Sequence, residues 1–341
     1  MNKIKIAING FGRIGRIFFR KAFNYSNFEI IAINDLSDTK NLAYLLKYDT
    51  VYGKYDKSVE FKDNKLIVDG KEILIFKETN PQNLPWKDLD IDIVVESSGV
   101  FTEFDKAKLH LQAGAKRVVI TAPTKDEKTI HFTPGLEDLE KIYSLAEDGL
   151  ITSNASCTTN SVNPIIAILN QKIGIQKAVL TTIHAYTNTQ SIVDSVVKGD
   201  DFRRGRAGAQ NIVPSTTGAA NATAKVIPEI KGKFDGISVR VPTITGSLSD
   251  ITILTKRPTT VEEINNILKE AANSSQWNEI IKINEDQIVS SDIIGEPYGA
   301  IIDLTLTKVV DGDLVKVFSW YDNEAGYVGM LIKHIKTLFN N

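Results

Sequence analysis

A single cysteine, Cys157, stands in 341 residues, which excludes an internal disulfide framework and any multi-cysteine metal site. A reducing compartment is its simplest home, and no metal is expected. No apolar run reaches the ~18 residues that suggest a membrane span. The opening MNKIKIAINGFGRIG enters an apolar strand without the basic, apolar and cleavage order of a leader, so a cytoplasmic protein is expected. Charge of one sign is not in excess either. Forty Lys and Arg against 42 Asp and Glu leave a net charge of −2, which gives no electrostatic footprint for nucleic acid or an anionic membrane. There is no internal repeat, low-complexity tract or flexible linker. What is present is ordinary for a globular protein, 42% apolar and 24% charged, over a length that suggests two domains.

Apolar runs, turns and amphipathic helices alternate from the start, the rhythm of a parallel sheet with helices on its faces. Strands are expected at 3–9, 28–34, 92–97 and 117–121, and helices at 14–23, 41–47 and 102–113. Beyond Cys157 the strands lengthen and alternate, at 178–184, 236–241, 248–255 and 300–321, the last broken by Asp311-Gly312-Asp313 as a hairpin. Helices at 162–171 and 261–272 should cover one face of that second sheet. The expectation is an α/β protein: a doubly wound domain over 1–153, with the C-terminal helix of 322–341 packing back on it, and an α+β domain over 154–321 with a large mixed or antiparallel sheet.

Gly10-Phe-Gly-Arg-Ile-Gly15 fits G-x-G-x-x-G. By itself the pattern can be a mere tight turn, but here it lies between a predicted strand and a predicted helix. There Gly10 can turn, Gly12 can let a pyrophosphate approach the helix N-terminus, and Gly15 can let helix and sheet pack closely. Asp35 closes the next strand, where its carboxylate can accept from ribose hydroxyls and repel a 2′-phosphate. This favours NAD over NADP, the bland alternative being a helix cap. Ser98, Gly99 and Thr121 fall at the carboxyl ends of later strands, where ligands bind in open α/β sheets or where the chain simply turns.

Cys157 lies in SNASCTTN, between a strand-like segment and a helix. A helix N-terminus favours thiolate over thiol, and the polar neighbours argue against the usual inert, buried cysteine. Of four histidines, His110 and His334 sit on predicted helices and are expected on solvated faces, while His131 lies in a poorly patterned stretch. His184 ends the apolar run 178–183, so it is either a satisfied core group or a base for the thiol. Downstream, the turn Thr217-Gly218 and the strand residue Arg240 supply donors of the kind a phosphate ester requires, and the cluster Arg203, Arg204 and Arg206 either joins them or, above all for Arg203 and Arg206, forms a solvated loop or a subunit contact.

NGFGRIGR, NDLSD, SNASCTTN, HAYTNTQ, RRGRAGAQNIVPSTTGAA, RVPT and WYDNE occur in an order, over nearly the whole chain, that resembles the phosphorylating glyceraldehyde-3-phosphate dehydrogenase family. The resemblance implies a Rossmann-type NAD-binding domain and a catalytic domain that together oxidise and phosphorylate D-glyceraldehyde 3-phosphate to 1,3-bisphosphoglycerate. It makes Cys157 the nucleophile, passing through a hemithioacetal and a thioester, and His184 the base. It assigns Ser156, Thr158, Thr217 and Gly218 to the attacking phosphate, and Thr187, Thr189 and Arg240 to the phosphate of the substrate, with Arg204 near both. Arg13, Ile14, Asp35, Thr121 and Asn323 become NAD contacts, and a homotetramer is implied. The sequence departs from the family at Ser161, where many members carry a second cysteine, at Ala325, at Ser195-Val196, and in a longer segment over 125–150 for which an extra helical turn is expected. Erythrose-4-phosphate dehydrogenase, a non-catalytic NAD-binding regulator and a cysteine hydrolase are the competing readings.

Overall fold

The structure is a computed structural model and describes residues 3–136, 139–144, 149–197 and 199–339. The chain forms two compact units, one comprising Met1–Phe132, Glu137–Ala155 and Leu331–Asn341, the other Thr133–Leu136 and Ser156–Met330.

In the first unit the elements run β1 (Ile4–Asn9), α1 (Arg13–Ala22), β2 (Phe28–Asn34), α2 (Thr39–Lys47), the short pair β3 (Tyr48–Asp49) and β4 (Gly53–Lys54), then β5 (Val59–Lys62), β6 (Lys65–Val68) and β7 (Lys71–Phe76). They continue with β8 (Ile93–Glu96), α3 (Phe104–Gln112), β9 (Arg117–Ile120), β10 (Ile130–His131), α4 (Leu139–Ser144) and β11 (Leu150–Ser153). The sheet order is β10-β11-β9-β8-β1-β2-β7-β6-β5. All pairs are parallel except β7–β6 and β6–β5. The chain moves from β1 to β2 on one side and later returns to β8 on the other, so the strand order reverses beside β1. In a doubly wound sheet that reversal opens a crevice at the carboxyl ends of the strands. The core beneath it is built from Ala7, Ala32, Trp86, Val94, Val118 and Ile151, among others.

The second unit contains α5 (Cys157–Lys172), β12 (Ile175–Ala185), β13 (Val213–Thr216), α6 (Ala219–Val226), β14 (Phe234–Val241), β15 (Ser247–Thr255), α7 (Val261–Ala272), β16 (Ile281–Asn284), β17 (Ala300–Val310) and β18 (Leu314–Tyr321), and α8 (Ala325–Phe339) ends the chain. The seven strands order as β13-β14-β12-β15-β18-β17-β16 in a mixed sheet. Residues of β15 alternate buried and half-exposed, the period-2 signature of a sheet covered on one face. That covered face is packed by Ile165, Ile166 and Leu169 of α5 and by Ile264 and Leu268 of α7. α5 starts five residues before its expected beginning, because Ser156 caps it by accepting from the Thr159 N–H at 3.0 Å. No helix among the described residues is long and apolar enough to cross a membrane.

Two histidines correct the sequence reading. His110 and His334, expected on solvated faces, are both fully buried. His334 stacks on Phe132 with ring centroids 3.8 Å apart. Its Nδ1 faces Asn154 Oδ1 at 3.1 Å, and its Nε2 faces Thr152 Oγ1 at 3.0 Å. A helical pattern shows which face a polar residue occupies but not whether strand-end polar groups await it.

Burial holds the His334 imidazole neutral, with its pKa lowered to about 3, whereas the unfolded chain binds that proton near the ordinary value of about 6.5. The unfolded state therefore takes up the proton first, and this stabilisation is lost as pH falls below about 6.5. The loss for this group amounts to about 3 kcal/mol by pH 4. Thermal melts between pH 7 and pH 4 should show a shallower acid slope in His334→Gln than in the wild type. Equal slopes would contradict the assignment.

Candidate active site

The turn from β1 into α1 divides its three glycines by task. Gly10 has φ +92°, and a Cβ there would lie 2.5 Å from the Ser98 backbone. A Cβ on Gly15 would lie 2.2 Å from the Gly10 carbonyl oxygen, while one on Gly12 would meet nothing within 4 Å. The first and third glycines thus permit close packing, and the second leaves open space at the start of a helix. Gly12 is the N-cap of α1 with no side-chain cap and no acid in the first turn, so the first N–H groups and the helix dipole are left for an anion.

Asp35 is fixed at the end of β2, Oδ2 accepting from the Phe11 N–H at 2.8 Å and Oδ1 from Ser37 N–H at 2.9 Å. Gly10, Gly12, Asp35 and Ser98 line a cavity of about 490 Å³ at the crevice, within the size range of cofactor sites. Gly99, with φ +75°, follows Ser98 in the same turn. The Thr121 hydroxyl at the end of β9 donates to the Glu96 carbonyl at 3.0 Å. The guanidinium of Arg13 is ion-paired with Asp49, so in the first turn of α1 Arg13 and Ile14 are placed to offer backbone N–H groups. These features fit a dinucleotide: open space at an uncapped helix N-terminus, bounded by a carboxylate at the end of the next strand.

The thiol site is assembled in the second unit. Ala155, with φ +52°, turns the chain sharply before Ser156, and Cys157 becomes the first residue of α5. His184, the last residue but one of β12, pairs in parallel register with Arg240 of β14, which sets their side chains next to each other on one face. Cys157 Sγ lies 3.4 Å from His184 Nε2. Arg240 Nη1 lies 2.6 Å from His184 Nδ1 and 3.2 Å from the Ala185 carbonyl oxygen. Because a carbonyl oxygen only accepts, the 2.7 Å contact of His184 Nδ1 with the Ala185 oxygen puts the proton of the neutral ring on Nδ1, with Arg240 pressed against it, and leaves Nε2 to accept from the Cys157 thiol.

Burial lowers the His184 pKa to about 3, with the Arg240 charge adding to the effect. Burial also raises the Cys157 thiol, against the opposing pull of Arg240 and of the Thr158 N–H. Without an anion on Arg240 the pair therefore favours its uncharged form. Tyr321 of β18, which the sequence did not single out, packs edge-on to His184 with centroids 5.9 Å apart, and burial raises its phenol. Its hydroxyl bridges Thr158 Oγ1 at 2.9 Å and Thr182 Oγ1 at 2.7 Å, so the Thr158 hydroxyl is engaged within the protein. The run WYDNE, in which it stands, is the sequence signal that points to it.

Arg240 Nε is buried with no hydrogen-bond partner among the described residues. Burial lowers the hold of its guanidinium on its proton, and the charge of Arg204 lowers it further. Two cations and an orphaned donor facing one region make a site for an anion. Arg204 is itself anchored by Asp201, Nε to Oδ2 at 3.3 Å. Thr187 and Thr189 place their hydroxyls 2.9 Å apart in the loop after β12. Thr217 Oγ1 accepts from the Ala219 N–H at 3.2 Å, and Gly218 is the uncapped N-terminus of α6.

Asn323 Oδ1 accepts from Gly246 N–H at 3.1 Å and from the Ser247 hydroxyl at 3.0 Å. The backbone donor fixes the amide orientation and leaves Nδ2 to donate. Ser161 is fully buried, its hydroxyl 3.2 Å from both Ser249 and Ser319, a polar setting that a thiol would fill less well. Among the described residues no group of three or more His, Cys, Asp or Glu could hold a metal ion.

A family model described as "Glyceraldehyde 3-phosphate dehydrogenase, NAD binding domain" matches residues 4–104, and one described as "Glyceraldehyde 3-phosphate dehydrogenase, C-terminal domain" matches residues 156–323. The protein named glyceraldehyde-3-phosphate dehydrogenase in Thermotoga maritima is 51% identical over 341 aligned positions, covering 98% of each chain. That of Clostridium pasteurianum is 48% identical over 336, covering 97% of each. That of Streptomyces coelicolor is 47% identical over 330, covering 96% of each.

Proposed function

The chain belongs to the glyceraldehyde-3-phosphate dehydrogenase family, and on that premise we infer how its residues divide the work of oxidising and phosphorylating D-glyceraldehyde 3-phosphate. It is an NAD-dependent enzyme. The observation that carries the residue assignment is the contact of Cys157 Sγ with His184 Nε2, with Arg240 in register beside the imidazole.

The phosphate of the substrate binds Arg240 with Thr187 and Thr189. Its negative charge compensates the guanidinium that depresses His184 and draws it away from the ring, while Nδ1 keeps its bond to the Ala185 carbonyl 2.7 Å away and Nε2 takes the Cys157 proton. Imidazolium and thiolate become the favoured pair. Cys157 Sγ attacks the aldehyde carbon, and the proton held at His184 Nε2 passes to the carbonyl oxygen, giving a hemithioacetal. His184 takes that hydroxyl proton back as the carbon gives up its hydride and the thioester forms. NAD, when bound, supplies the hydride acceptor. An oxygen of inorganic phosphate, held by Ser156, Thr158, Thr217, Gly218 and Arg204, then attacks the thioester carbon, the C–S bond breaks, and the acyl phosphate leaves with the thiolate restored.

NAD is held by the turn of Gly10, Gly12 and Gly15, by the backbone of Arg13 and Ile14, by Asp35, and by Ser98, Gly99 and Thr121. Asn323 Nδ2 is the donor for the nicotinamide amide. The first unit serves as the NAD-binding domain and the second as the catalytic domain.

A homotetramer is supported by apolar side chains left in the open: Ile192, Val196 and Phe202 beyond β12, and Val179 and Ile237 on the uncovered sheet face. A hydrodynamic mass of four chains is the check. The cytoplasm fits a lone free thiol. The enzyme reading is tested by NADH absorbance with glyceraldehyde 3-phosphate: turnover should require inorganic phosphate, and an equal rate without it would refute the assignment.

A further inference from the structure

Behind the dinucleotide cavity lies a buried hydrogen-bonded chain that the reaction does not use. Its first member is Trp86, whose indole N–H donates to His110 Nδ1 at 3.0 Å. Since Nδ1 accepts, His110 Nε2 carries the proton and donates to Glu96 Oε2 at 2.9 Å. From the opposite side, the Glu78 backbone N–H donates to Asn34 Oδ1 at 2.8 Å, Asn34 Nδ2 donates to Asn9 Oδ1 at 2.7 Å, and Asn9 Nδ2 donates to Glu96 Oε2 at 2.5 Å. Glu96 Oε1 receives the Ser98 N–H at 2.9 Å and its hydroxyl at 2.5 Å.

Both ends of this chain are groups that can only donate, an indole and a backbone amide. Every bond therefore points inward, and the Glu96 carboxylate, 1% exposed, accepts from four donors. Asn9, Asn34, Glu78 and Ser98 line the cavity, whereas Trp86, His110 and Glu96 do not. One buried group thus ties together the carboxyl ends of β1, β2 and β8, the Ser98–Gly99 turn and the segment after β7.

We propose that the Trp86–His110–Glu96 relay is a positioning device for the dinucleotide cavity, holding its strand ends in the shape that binds NAD and so setting NAD affinity from residues that do not line the site. The proposal rests on the NAD reading above. Its physical basis is preorganisation: donors and turns fixed in advance need no ordering when the ligand arrives. It also has a polarity. Glutamine at 96 fills the same volume but replaces one acceptor by a donor, and no sequence of amide flips absorbs the change, because neither the indole nor the Glu78 N–H facing Oε2 through the chain, nor the Ser98 N–H facing Oε1, can reverse.

The test is NAD binding by calorimetry, with melting temperature and steady-state kinetics on the same samples. Glu96→Gln should raise the NAD Kd about tenfold and Trp86→Phe about threefold, with kcat at saturating NAD within about twofold of wild type. Val118→Ala, in the core of the same sheet but outside the relay, should lower the melting temperature and leave the Kd unchanged. Should Glu96→Gln fail to fold, Trp86→Phe decides by the same readout. Wild-type Kd in the relay variants would overturn the proposal, as would a Kd that tracks melting temperature across all three variants. A wild type that does not bind NAD would instead overturn the cofactor reading.

Discussion

Cys157→Ser should bind NAD as the wild type does and lose at least ~10⁴-fold in turnover. Three features of the site set the size of the effect. The serine hydroxyl is far harder to ionise than a thiol, and burial already opposes ionisation at this position. Its partner His184 holds a proton weakly, with a pKa near 3 in the absence of an anion, so it cannot drive deprotonation of an alcohol. An oxygen ester, if formed, would also lack the reactivity of a thioester towards phosphate. The sequence supplies a direct companion test. Cys157 is the only cysteine, so alkylation at one thiol per chain should abolish all activity. Activity surviving complete alkylation would contradict the assignment of the nucleophile.

His184→Asn should lower kcat by roughly 10²- to 10⁴-fold, the span of positioned general base catalysis. The deficit should fall on oxidation more than on phosphate attack. His184 is needed to remove the hemithioacetal proton as hydride leaves, whereas phosphate attack on the thioester expels a stable thiolate. A substrate carrying deuterium at the aldehyde carbon should therefore show a larger isotope effect in the variant than in the wild type, measured as the rate of NADH formation. An unchanged isotope effect together with a full loss of rate would place the role of His184 elsewhere in the cycle. Asparagine still faces Arg240 through an amide, so the guanidinium is not left wholly without a neighbour.

Much of this architecture is legible in the chain because its chemistry needs local signals. Gly10, Gly12 and Gly15 announce themselves through spacing between a strand and a helix, and the structure gives each a distinct steric reason. The hairpin of β17 and β18 follows from Asp311 and Gly312, both at positive φ. The pairing of His184 with Arg240 is different in kind. The two residues are 56 apart in sequence, and only the parallel register of β12 and β14 makes them neighbours.

Other features were not legible because they depend on what a residue meets across the fold. His110 looks like a surface residue of a short helix until Trp86 and Glu96 close around it. The Tyr321 hydroxyl finds Thr158 and Thr182 from two other elements. Arg13 sits in the glycine turn by sequence, yet its charge is spent on Asp49. The antiparallel edge of β5, β6 and β7 is marked by turns at Asp63-Asn64 and Asp69-Gly70, where Asp63, Asp69 and Gly70 have positive φ, but strands of four to six residues give too short a run to stand out.

The central claim is that Cys157 carries the oxidised substrate as a thioester that only phosphate discharges. Rapid mixing of the NAD-loaded enzyme with glyceraldehyde 3-phosphate in phosphate-free buffer measures this directly. The account predicts a burst of NADH no larger than the content of Cys157 thiol, followed by arrest, and renewed formation when inorganic phosphate is added. Sustained NADH formation without phosphate, or a full burst in Cys157→Ser, would contradict it.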